Sequence, residues 1–506
     1  MKKILIKNVK LLDGINYFGE TSSIICQNGI IVSIEQNPKI NENNFIQIID
    51  GNNQFLTPTF VDVHSHSDAS ILSPFELVSK KSSGFGVEIV GNCGLSCFPI
   101  TEKNIENLQK IYQKYPVEIN WRTFDEYNKL VASNRTNTLI YSLTGHNTLH
   151  SAVASYENRH CTHDEVKLMQ KLLAESLEKG SLGLSFGLLY SPGRFADDFE
   201  IIELMKTLQR YEKIACVHLK SEGDYLLESV EDMLNFARES NLQNLHISHL
   251  KTGGERNFDK IDRLLKMIEN APKTHGVFVT FDRYPFCHSL TQLSVIGPEK
   301  FLKMPDSQIM ATLQSSQSEC NEFLEFLNKK EMNDLKKVTL VSTKLTDYQE
   351  FIGMNIYDIS QKTNLSCANL ILDLIKNDSV NTLAAFESMS KENMEKIISH
   401  PLCMIGTDET ARPLDLSLGS SHIRNFATTS EAINILTKLN MDKSLIIKKL
   451  SSCAAQRFKI LKIGELKTNY LAKFNLINFN QIKTNATFAQ CHQKSNGITP
   501  IDLTRI

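Results

Sequence analysis

The sequence lacks the features that mark nucleic-acid-binding and membrane-surface proteins. It has no basic stripe, because its 55 Lys and Arg residues are scattered and are balanced by 57 Asp and Glu, which gives a formal net charge of -2. Without such a stripe a nucleic acid or an anionic membrane has no positive surface to bind. We therefore expect a small-molecule partner, while the oligomeric state stays open.

No apolar run reaches the length of a membrane-spanning helix, and the first residues lack the apolar core and cleavage site of a signal peptide. We therefore expect a cytoplasmic protein. The 11 cysteines are odd in number and unevenly spread over 506 residues, so they do not form a disulfide framework. Reduced thiols are expected, and any special cysteine should be a ligand or a nucleophile.

The two ends of the chain have the sequence pattern of a small β domain. Over residues 1–57, short alternating strands are separated by the turn pairs Asn28-Gly29 and Asp50-Gly51, which predicts a small antiparallel β unit. Strand-like alternation returns at 470–479. We therefore expect residues 1–57 and 461–506 to pair into one small β-sandwich.

Residues 58–460 alternate strands with amphipathic helices, which is the pattern of a parallel sheet built from βα units. The predicted helices include 164–178, 199–211, 226–240 and 260–269. The eight predicted strands are 60–66, 86–92, 139–145, 182–188, 214–219, 245–250, 277–284 and 402–407. These units predict an α/β fold with a (β/α)8 barrel, and the polar helical sequence at about 289–364 predicts an insertion over one barrel end.

Potential metal ligands follow the predicted strands at their C-terminal ends, where barrels of this kind carry their chemistry. His64 and His66 end the first strand, and both imidazoles should project together because residues two apart on a strand share a face. The other strand ends carry Asn92-Cys93, His146, His218, His249 and Asp408. Each residue alone is compatible with a capped or core-satisfied side chain, but all of them converge if the barrel forms.

Cys93, His218 and His249 have the chemistry of a three-ligand zinc site that leaves one position open for water. Zinc polarises a carbonyl and lowers the pKa of bound water to about 7, and both effects favour amide hydrolysis. Asp408 could take the proton of that water and pass it to the leaving nitrogen. The competing interpretations of Cys93 are a buried thiol and a zinc knuckle with Cys97, but no second cysteine pair follows at zinc-finger spacing.

Eight segments resemble, in order, motifs of the N-acyl-D-amino-acid deacylases (D-aminoacylases) of the metal-dependent amidohydrolase superfamily. The segments are TPTFVDVHSHSD at 57–68, GNCG at 91–94, GHNTL at 145–149, GLSFGL at 183–188, HLKSE at 218–222, ISHLK at 247–251, DRYPF at 282–286 and IGTD at 405–408. The segment at 91–94 is the most specific, because many amidohydrolases instead bridge two metals with a carbamylated lysine after the fourth strand. Residues 185–189 contain no lysine.

The resemblance implies a zinc-dependent barrel with a small β-sandwich. Cys93, His218 and His249 would hold one zinc ion tightly, and a weaker second site would involve His64 and His66.

The resemblance also implies that Asp408 is the catalytic acid and base, with Lys251, Tyr284 and Arg424 near the substrate. His146 is a further candidate for substrate binding. A guanidinium fork at Arg424 would match the free carboxylate of an N-acyl amino acid. The alternative for this residue is a solvated surface arginine.

The reaction implied by the resemblance is zinc-dependent hydrolysis of N-acyl-D-amino acids to a carboxylate and a free D-amino acid. Metal-activated water would attack the amide, with Asp408 as general base and acid. One alternative is a cyclic amidase similar to a dihydropyrimidinase or hydantoinase, against which Cys93 in place of a bridging lysine argues. Another alternative is a non-catalytic metal-binding barrel.

Several positions depart from the family's motifs without removing a proposed metal ligand. His150 and Lys220 stand where the family has arginine, and Glu409 stands where it has glycine. Compared with the family's motifs, a few extra residues also separate Asp408 from Arg424, and they would change the direction in which the arginine side chain points. The preferred acyl group, the preferred side chain and the number of catalytic metals are therefore not fixed by the sequence.

Overall fold

The computed structural model describes residues 3–15, 17–36, 40–134, 138–302, 304 and 306–504. The predicted domain ranges therefore include a few residues that lie outside this description. Within the described ranges, no helix combines the length and the apolar character that a membrane span requires.

Strands from both ends of the chain share one sheet, and the strands between them form two parallel sheets and one antiparallel sheet. In chain order the strands are β1 (Lys3–Leu12), β2 (Tyr17–Gln27), β3 (Ile30–Gln36), β4 (Gln47–Asp50), β5 (Phe55–Pro58), β6 (Phe60–Asp62), β7 (Phe85–Val90), β8 (Leu139–Ser142), β9 (Thr144–Gly145), β10 (Gly183–Gly187), β11 (Ile214–His218), β12 (Asn244–Ile247), β13 (Phe278–Arg283), β14 (His288–Gln292), β15 (Val338–Ser342), β16 (Leu383–Glu387), β17 (Cys403–Ile405), β18 (Lys473–Ile477) and β19 (Ile498–Asp502).

Helices connect most of the parallel strands, so the fold is mixed α/β. They are α1 (Ser79–Ser82), α2 (Ile105–Ile111), α3 (Phe124–Ser133), α4 (His146–Ala154), α5 (His163–Glu178), α6 (Asp198–Arg210), α7 (Leu226–Glu239), α8 (Ile261–Thr274), α9 (Glu299–Leu302), α10 (Asp306–Ser315), α11 (Gln317–Asn328), α12 (Met332–Lys336), α13 (Thr346–Gln349), α14 (Ile356–Thr363), α15 (Cys367–Asp378), α16 (Lys391–Ser399), α17 (Arg424–Lys438), α18 (Lys443–Leu450) and α19 (Ser452–Arg457).

The sheet at the chain ends has the order β19-β18-β5-β1-β2-β3, with β4 also paired to β1. Strands from residues 1–57 and from residues 461–506 thus lie side by side in it, since β18 pairs with β5. The prediction of a purely antiparallel N-terminal unit was wrong, because β1 pairs in parallel with β4 and with β5. Turn residues predict local hairpins such as β2–β3, whereas the longer connection after β3 returns the chain to the other edge of β1.

The eight predicted central strands are all present as parallel strands, the third of them as β8 and β9 on either side of Leu143. They form a six-stranded sheet of order β17-β13-β12-β11-β10-β9 and a three-stranded sheet of order β6-β7-β8. Every residue of β7, β10 and β11 is buried. Burial on both faces is typical of parallel strands that are covered by helices.

The helices bury one apolar stripe each against these strands. On α5 the stripe consists of Val166, Met169, Leu173 and Leu177, at spacings of three and four residues. These side chains join one core cluster with Leu184 and other residues of β10. Each large aliphatic side chain buried in this way stabilises the fold by about 1.5–3 kcal/mol.

A buried ion pair ties the first parallel strand to the last. Lys80 Nζ lies 2.6 Å from Asp62 Oδ2 on β6 and donates a hydrogen bond to the carbonyl oxygen of Glu409 at 2.8 Å. Asp62 also accepts the backbone N–H of Thr407 at 2.9 Å, just beyond β17. These contacts fix the two strand ends that precede His64 and Asp408.

An insertion with its own core lies between β13 and β17. Its strands β14, β16 and β15 form an antiparallel sheet, and its helices pack on that sheet around residues such as Phe301, Phe323 and Leu374. The sheet continues beyond residue 364, where we expected the insertion to end, because its central strand is β16. Periodicity alone does not reveal that a late strand pairs with two earlier ones.

The start of α5 offers a direct test of local stability. Thr162 Oγ1 accepts the backbone N–H of Glu165, and the Glu165 carboxylate accepts the backbone N–H of Thr162. Thr162→Ala should lower the free energy of unfolding by about 1 kcal/mol, whereas Thr162→Ser should retain most of it. Denaturant unfolding at neutral pH measures both variants, and equal stability of Thr162→Ala and the unaltered protein would contradict the capping role.

The same cap should respond to acid. The hydrogen bond from Arg159 is the main cause that lowers the pKa of Glu165 from 4.5 to about 2. The stabilisation from this carboxylate should therefore be complete above pH 4.5 and be lost as the pH falls toward 2. Unfolding curves of Glu165→Gln and the unaltered protein should converge over that range, and a constant difference would refute the assignment.

Candidate metal centre

A cavity of about 500 Å³ opens at the C-terminal ends of the parallel strands, and most of the predicted site residues line it. Those residues are His66, Cys93, His218, His249, Lys251, Tyr284, Asp408 and Arg424. The insertion contributes Ser289, Leu290 and Thr291 to the opposite wall. His64 is fully buried behind this surface and contacts Cys93.

Four potential ligand atoms converge at the base of the cavity. The ligand atoms of His64, Cys93, His249 and Asp408 all lie within 4.8 Å of one another. Cys93 Sγ lies 3.4 Å from His64 Nε2 and 3.5 Å from His249 Nε2. Asp408 Oδ1 lies 3.3 Å from His64 Nε2. Separations of this size suit donors that bind one ion at about 2.0–2.3 Å.

His218 lies next to this group on the side of His249. The two imidazole rings have centroids 4.4 Å apart, and the ligand atoms of His218, Glu222 and His249 form a second group within 4.8 Å. Both ring nitrogens of His218 are buried and lack a hydrogen-bond partner among the described residues. Because an unpaired buried polar group costs about 1–3 kcal/mol, such a ring suits a metal ligand. The ring nitrogens that lie within 3.5 Å of the thiol in the described hydrogen bonds belong to His64 and His249.

Three of the site residues have a strained backbone. The φ angle is 51° at Cys93, 36° at His249 and 51° at Asp408, in the left-handed region that favours glycine. Such a conformation costs about 1–3 kcal/mol per residue and persists where the surroundings hold it. Cys93 lies in a tight turn after β7, where a Cβ on Gly91 would come within 2.2 Å of the Leu143 carbonyl oxygen. The turn directs the thiol into the cavity.

The charges of the site favour anionic forms of Cys93 and Asp408. Burial alone raises the pKa of the Cys93 thiol, but the positive charges of His64 and His249 outweigh it and hold that pKa well below its ordinary value. Burial likewise raises the pKa of Asp408, and Arg424, His64 and His249 more than offset it. Arg424 Nη1 lies 3.1 Å from Asp408 Oδ2. The thiolate is the form of cysteine that binds metals.

Two carboxylates without a role in the sequence analysis, Asp282 and Glu222, contact the histidine rings of the cluster. Asp282 Oδ2 lies 3.1 Å from His64 Nδ1, and Asp282 Oδ1 accepts the backbone N–H of His249 at 3.1 Å. Glu222 Oε1 lies 2.9 Å from His249 Nδ1. A carboxylate behind a ligating histidine fixes the ring orientation and makes the other nitrogen a better donor. Only their positions in the sequence could have indicated this role, since each lies at or just after the end of a parallel strand.

The predicted substrate-binding residues Lys251, Tyr284 and Arg424 surround the same cavity. Lys251 Nζ lies 2.9 Å from His249 Nδ1, and the Arg424 guanidinium lies 4.4 Å from the centre of the Tyr284 ring. Burial raises the pKa of Tyr284, but Lys251, Arg283 and Arg424 outweigh it and lower that pKa. Arg424 is only 8% exposed, which argues against a solvated surface arginine.

His146 lies outside this cavity, contrary to the expectation that it binds substrate. It is fully buried in the first turn of α4, and its Nε2 lies 2.7 Å from Glu200 Oε1 on α6. Because α4 begins directly after β9, the side chain turns between the helices instead of toward the strand ends. Adjacency to a strand end therefore does not by itself place a side chain in the cavity.

Comparison with known proteins identifies relatives of the chain, although no protein-family model matches it. An N-acyl-D-aspartate deacylase of Alcaligenes xylosoxydans xylosoxydans is 27% identical over 457 residues, which cover 90% of this chain and 82% of the relative.

Two solved structures share the fold. The N-acyl-D-glutamate deacylase of Bordetella bronchiseptica, complexed with zinc and a phosphonate mimic of the tetrahedral intermediate, has a TM-score of 0.78 at 21% identity and covers 99% of this chain and 95% of its own. A D-aminoacylase that defines a subset of amidohydrolases has a TM-score of 0.76 at 21% identity and covers 98% of this chain and 94% of its own.

Replacing Asp282 with asparagine should weaken metal binding. The amide keeps the size of the side chain but removes the charge that orients the His64 ring, so we expect metal affinity to fall about 10–100-fold. Competition with a chromogenic chelator measures the affinity. Asp262→Asn, at an exposed aspartate of α8 paired with Lys396, is the matched control. Unchanged affinity in folded Asp282→Asn would contradict the orienting role.

Proposed function

We propose that the chain is a member of the D-aminoacylase family of amidohydrolases and that it hydrolyses N-acyl-D-amino acids. The products would be a carboxylate and a free D-amino acid. The observation that carries the proposal is the convergence of His64, Cys93, His249 and Asp408 at the base of a cavity large enough for a small substrate. A similar fold in a solved deacylase that holds zinc and a mimic of the tetrahedral intermediate supports it.

We propose that the two parallel sheets close into one (β/α)8 barrel, residues 58–460, and that residues 1–57 and 461–506 form a small β-sandwich. Leu143 alone separates β8 from β9, which would join one side of the ring. An isolated parallel bridge between Ser65 and Glu409, just beyond β6 and β17, supports closure on the other side.

The donor set fits zinc. One thiolate and two imidazoles from Cys93, His218 and His249 would form the tight site, with His64 and His66 at a weaker one. Since Cys93 Sγ lies within 3.5 Å of nitrogens of both His64 and His249, the thiolate is positioned to contribute to either site. A zinc ion held there would polarise the scissile carbonyl and lower the pKa of bound water to about 7.

Asp408 would carry the proton. Its two carboxylate oxygens contact His66 and Arg424, each at 3.1 Å, and these charges keep it ionised in a buried position. An ionised carboxylate at the edge of the cavity can accept a proton from the attacking water and donate it to the leaving nitrogen.

Arg424, Lys251 and Tyr284 would bind the free carboxylate of the substrate. The guanidinium provides a fork of N–H donors, and the ammonium adds a second positive charge on the same cavity. Other parts of the wall are apolar, including Leu95 and Leu290, and suit the acyl group or an apolar side chain.

The alternatives are weaker. A cyclic amidase of the dihydropyrimidinase type would bridge two metals with a modified lysine after the fourth strand, whereas residues 185–189 contain no lysine and Cys93 lies in the ligand cluster. A non-catalytic barrel has no chemical need for an ionised, strained Asp408 beside the ligand cluster. A cytoplasmic location stays a prediction.

Assays with paired N-acetyl-D- and N-acetyl-L-amino acids test the reaction. Methionine, leucine and glutamate derivatives should be hydrolysed only in the D form, and Cys93→Ala should lose both the zinc of the cavity and the activity. Cys367→Ala, at a half-buried thiol of the insertion, is the control and should keep both. Hydrolysis of the L forms alone, or full activity in Cys93→Ala that lacks the zinc of the cavity, would reject the proposal.

The pH profile tests Asp408. Although burial raises the pKa of this carboxyl group, Arg424 is the largest of the charges that lower it. Removing the charge in Arg424→Gln should therefore raise the pKa and move the acidic limb of kcat/KM to higher pH. Arg424→Lys keeps the charge, so its limb should move less while its KM rises. An acidic limb in the same position for Arg424→Gln would exclude Asp408 as the group that titrates.

A further inference from the structure

A second cluster of potential metal ligands lies in the interior, apart from the cavity. His146 and His150 on α4 and Glu200 on α6 have ligand atoms within 4.8 Å of one another. All three side chains are fully buried, and none belongs to the described lining of the cavity. His150 is also one of the positions at which the chain departs from the deacylase motifs, which have arginine there.

The two histidines have the spacing of metal ligands on a helix. Residues i and i+4 lie on one face of a helix, and two histidines in this arrangement commonly bind zinc. His146 Nε2 lies 2.7 Å and His150 Nδ1 3.0 Å from the same atom, Glu200 Oε1. Both imidazoles therefore converge on one carboxylate oxygen.

Hydrogen bonds alone do not satisfy this cluster. Glu200 Oε2 is buried and has no hydrogen-bond partner within the part of the chain that the structure describes. A buried carboxylate oxygen without a partner costs at least about 1–3 kcal/mol. A cation bound by the carboxylate would satisfy this oxygen and balance its charge.

Cys161, in the loop before α5, lies next to the cluster and is a candidate for a fourth donor. Its Sγ lies 3.6 Å from His150 Nδ1, and the side chain is buried. Two imidazole nitrogens, one carboxylate oxygen and one thiolate are a donor set that zinc binds tetrahedrally. With both imidazoles neutral, the carboxylate and the thiolate cancel the charge of a divalent ion, as a site without water requires.

We propose that His146, His150, Cys161 and Glu200 bind a structural zinc ion. Four protein donors leave no open position for water, so the site is structural rather than catalytic. Burial raises the pKa of the Cys161 thiol, so binding would release one proton from it. The ion would join α4 to α6, and it would brace the helix whose Asn147 lines the cavity.

Metal content per chain, measured by mass spectrometry on dialysed full-length protein, tests the site. His150→Arg places at this position the residue of the deacylase motifs, which can pair with Glu200 and so retain the fold. We expect His150→Arg to lose one equivalent of zinc and to keep the zinc of the cavity, whereas Cys93→Ala should keep the interior zinc. Equal zinc content in the unaltered protein and in folded His150→Arg would overturn the proposal.

A spectroscopic test does not depend on the folding of His150→Arg. Cobalt(II) loaded into Cys93→Ala should give a thiolate-to-cobalt absorption band from Cys161, and the band should vanish in Cys93→Ala/Cys161→Ser. The control Cys93→Ala/Cys367→Ser should retain it. Absence of the band in Cys93→Ala, or its persistence without Cys161, would refute the site.

Discussion

The candidate metal centre depends on the contacts that the buried carboxylate of Asp282 makes with residues around it. This carboxylate contacts His64 and His246 through one oxygen and the backbone N–H of His249 through the other. Burial raises the pKa of Asp282, but the charge of His64 and the hydrogen bonds from both histidines outweigh it and lower that pKa. One charge on β13 thus fixes residues in or just after two other strands, β6 and β12, because leaving it unpaired in the interior would cost several kcal/mol.

The strained backbone at the cavity also depends on how firmly the surrounding structure holds the strand ends. Cys93, His249 and Asp408 each follow the end of a different parallel strand and have a positive φ, which redirects the side chain from the strand axis into the cavity. The fold retains this unfavourable conformation because the strands that precede these residues are almost entirely buried, and because Lys80 and Asp62 hold the ends of β6 and β17. Strain of this kind at a ligand cluster is consistent with a site prepared for a metal before the metal binds.

Local patterns predicted the parallel strands and helices, because alternation and the helical period are encoded over a few residues. They also predicted that potential ligands would gather in one place, since parallel strands bring their C-terminal ends to one edge, but not which of those ligands lie closest together. Long-range choices were not predictable: the parallel pairing of β1 with β4, the late strand β16 of the insertion, and the orientation of His146 depend on contacts between distant residues. The supporting roles of Asp282 and Glu222 were missed for the same reason, because a carboxylate at a strand end does not reveal which ring it will face.

The two histidine clusters differ in the physical features that separate catalysis from structure. In the cavity, Cys93 and Asp408 combine access from solvent, a strained backbone and positive neighbours that keep them anionic. In the interior, His146 and His150 lie on a regular helix, fully buried, and share one carboxylate oxygen of Glu200. A donor set that is open and strained can exchange water and substrate, whereas a closed set on regular helices can only hold an ion in place. The same residue types therefore serve different purposes according to the elements that present them.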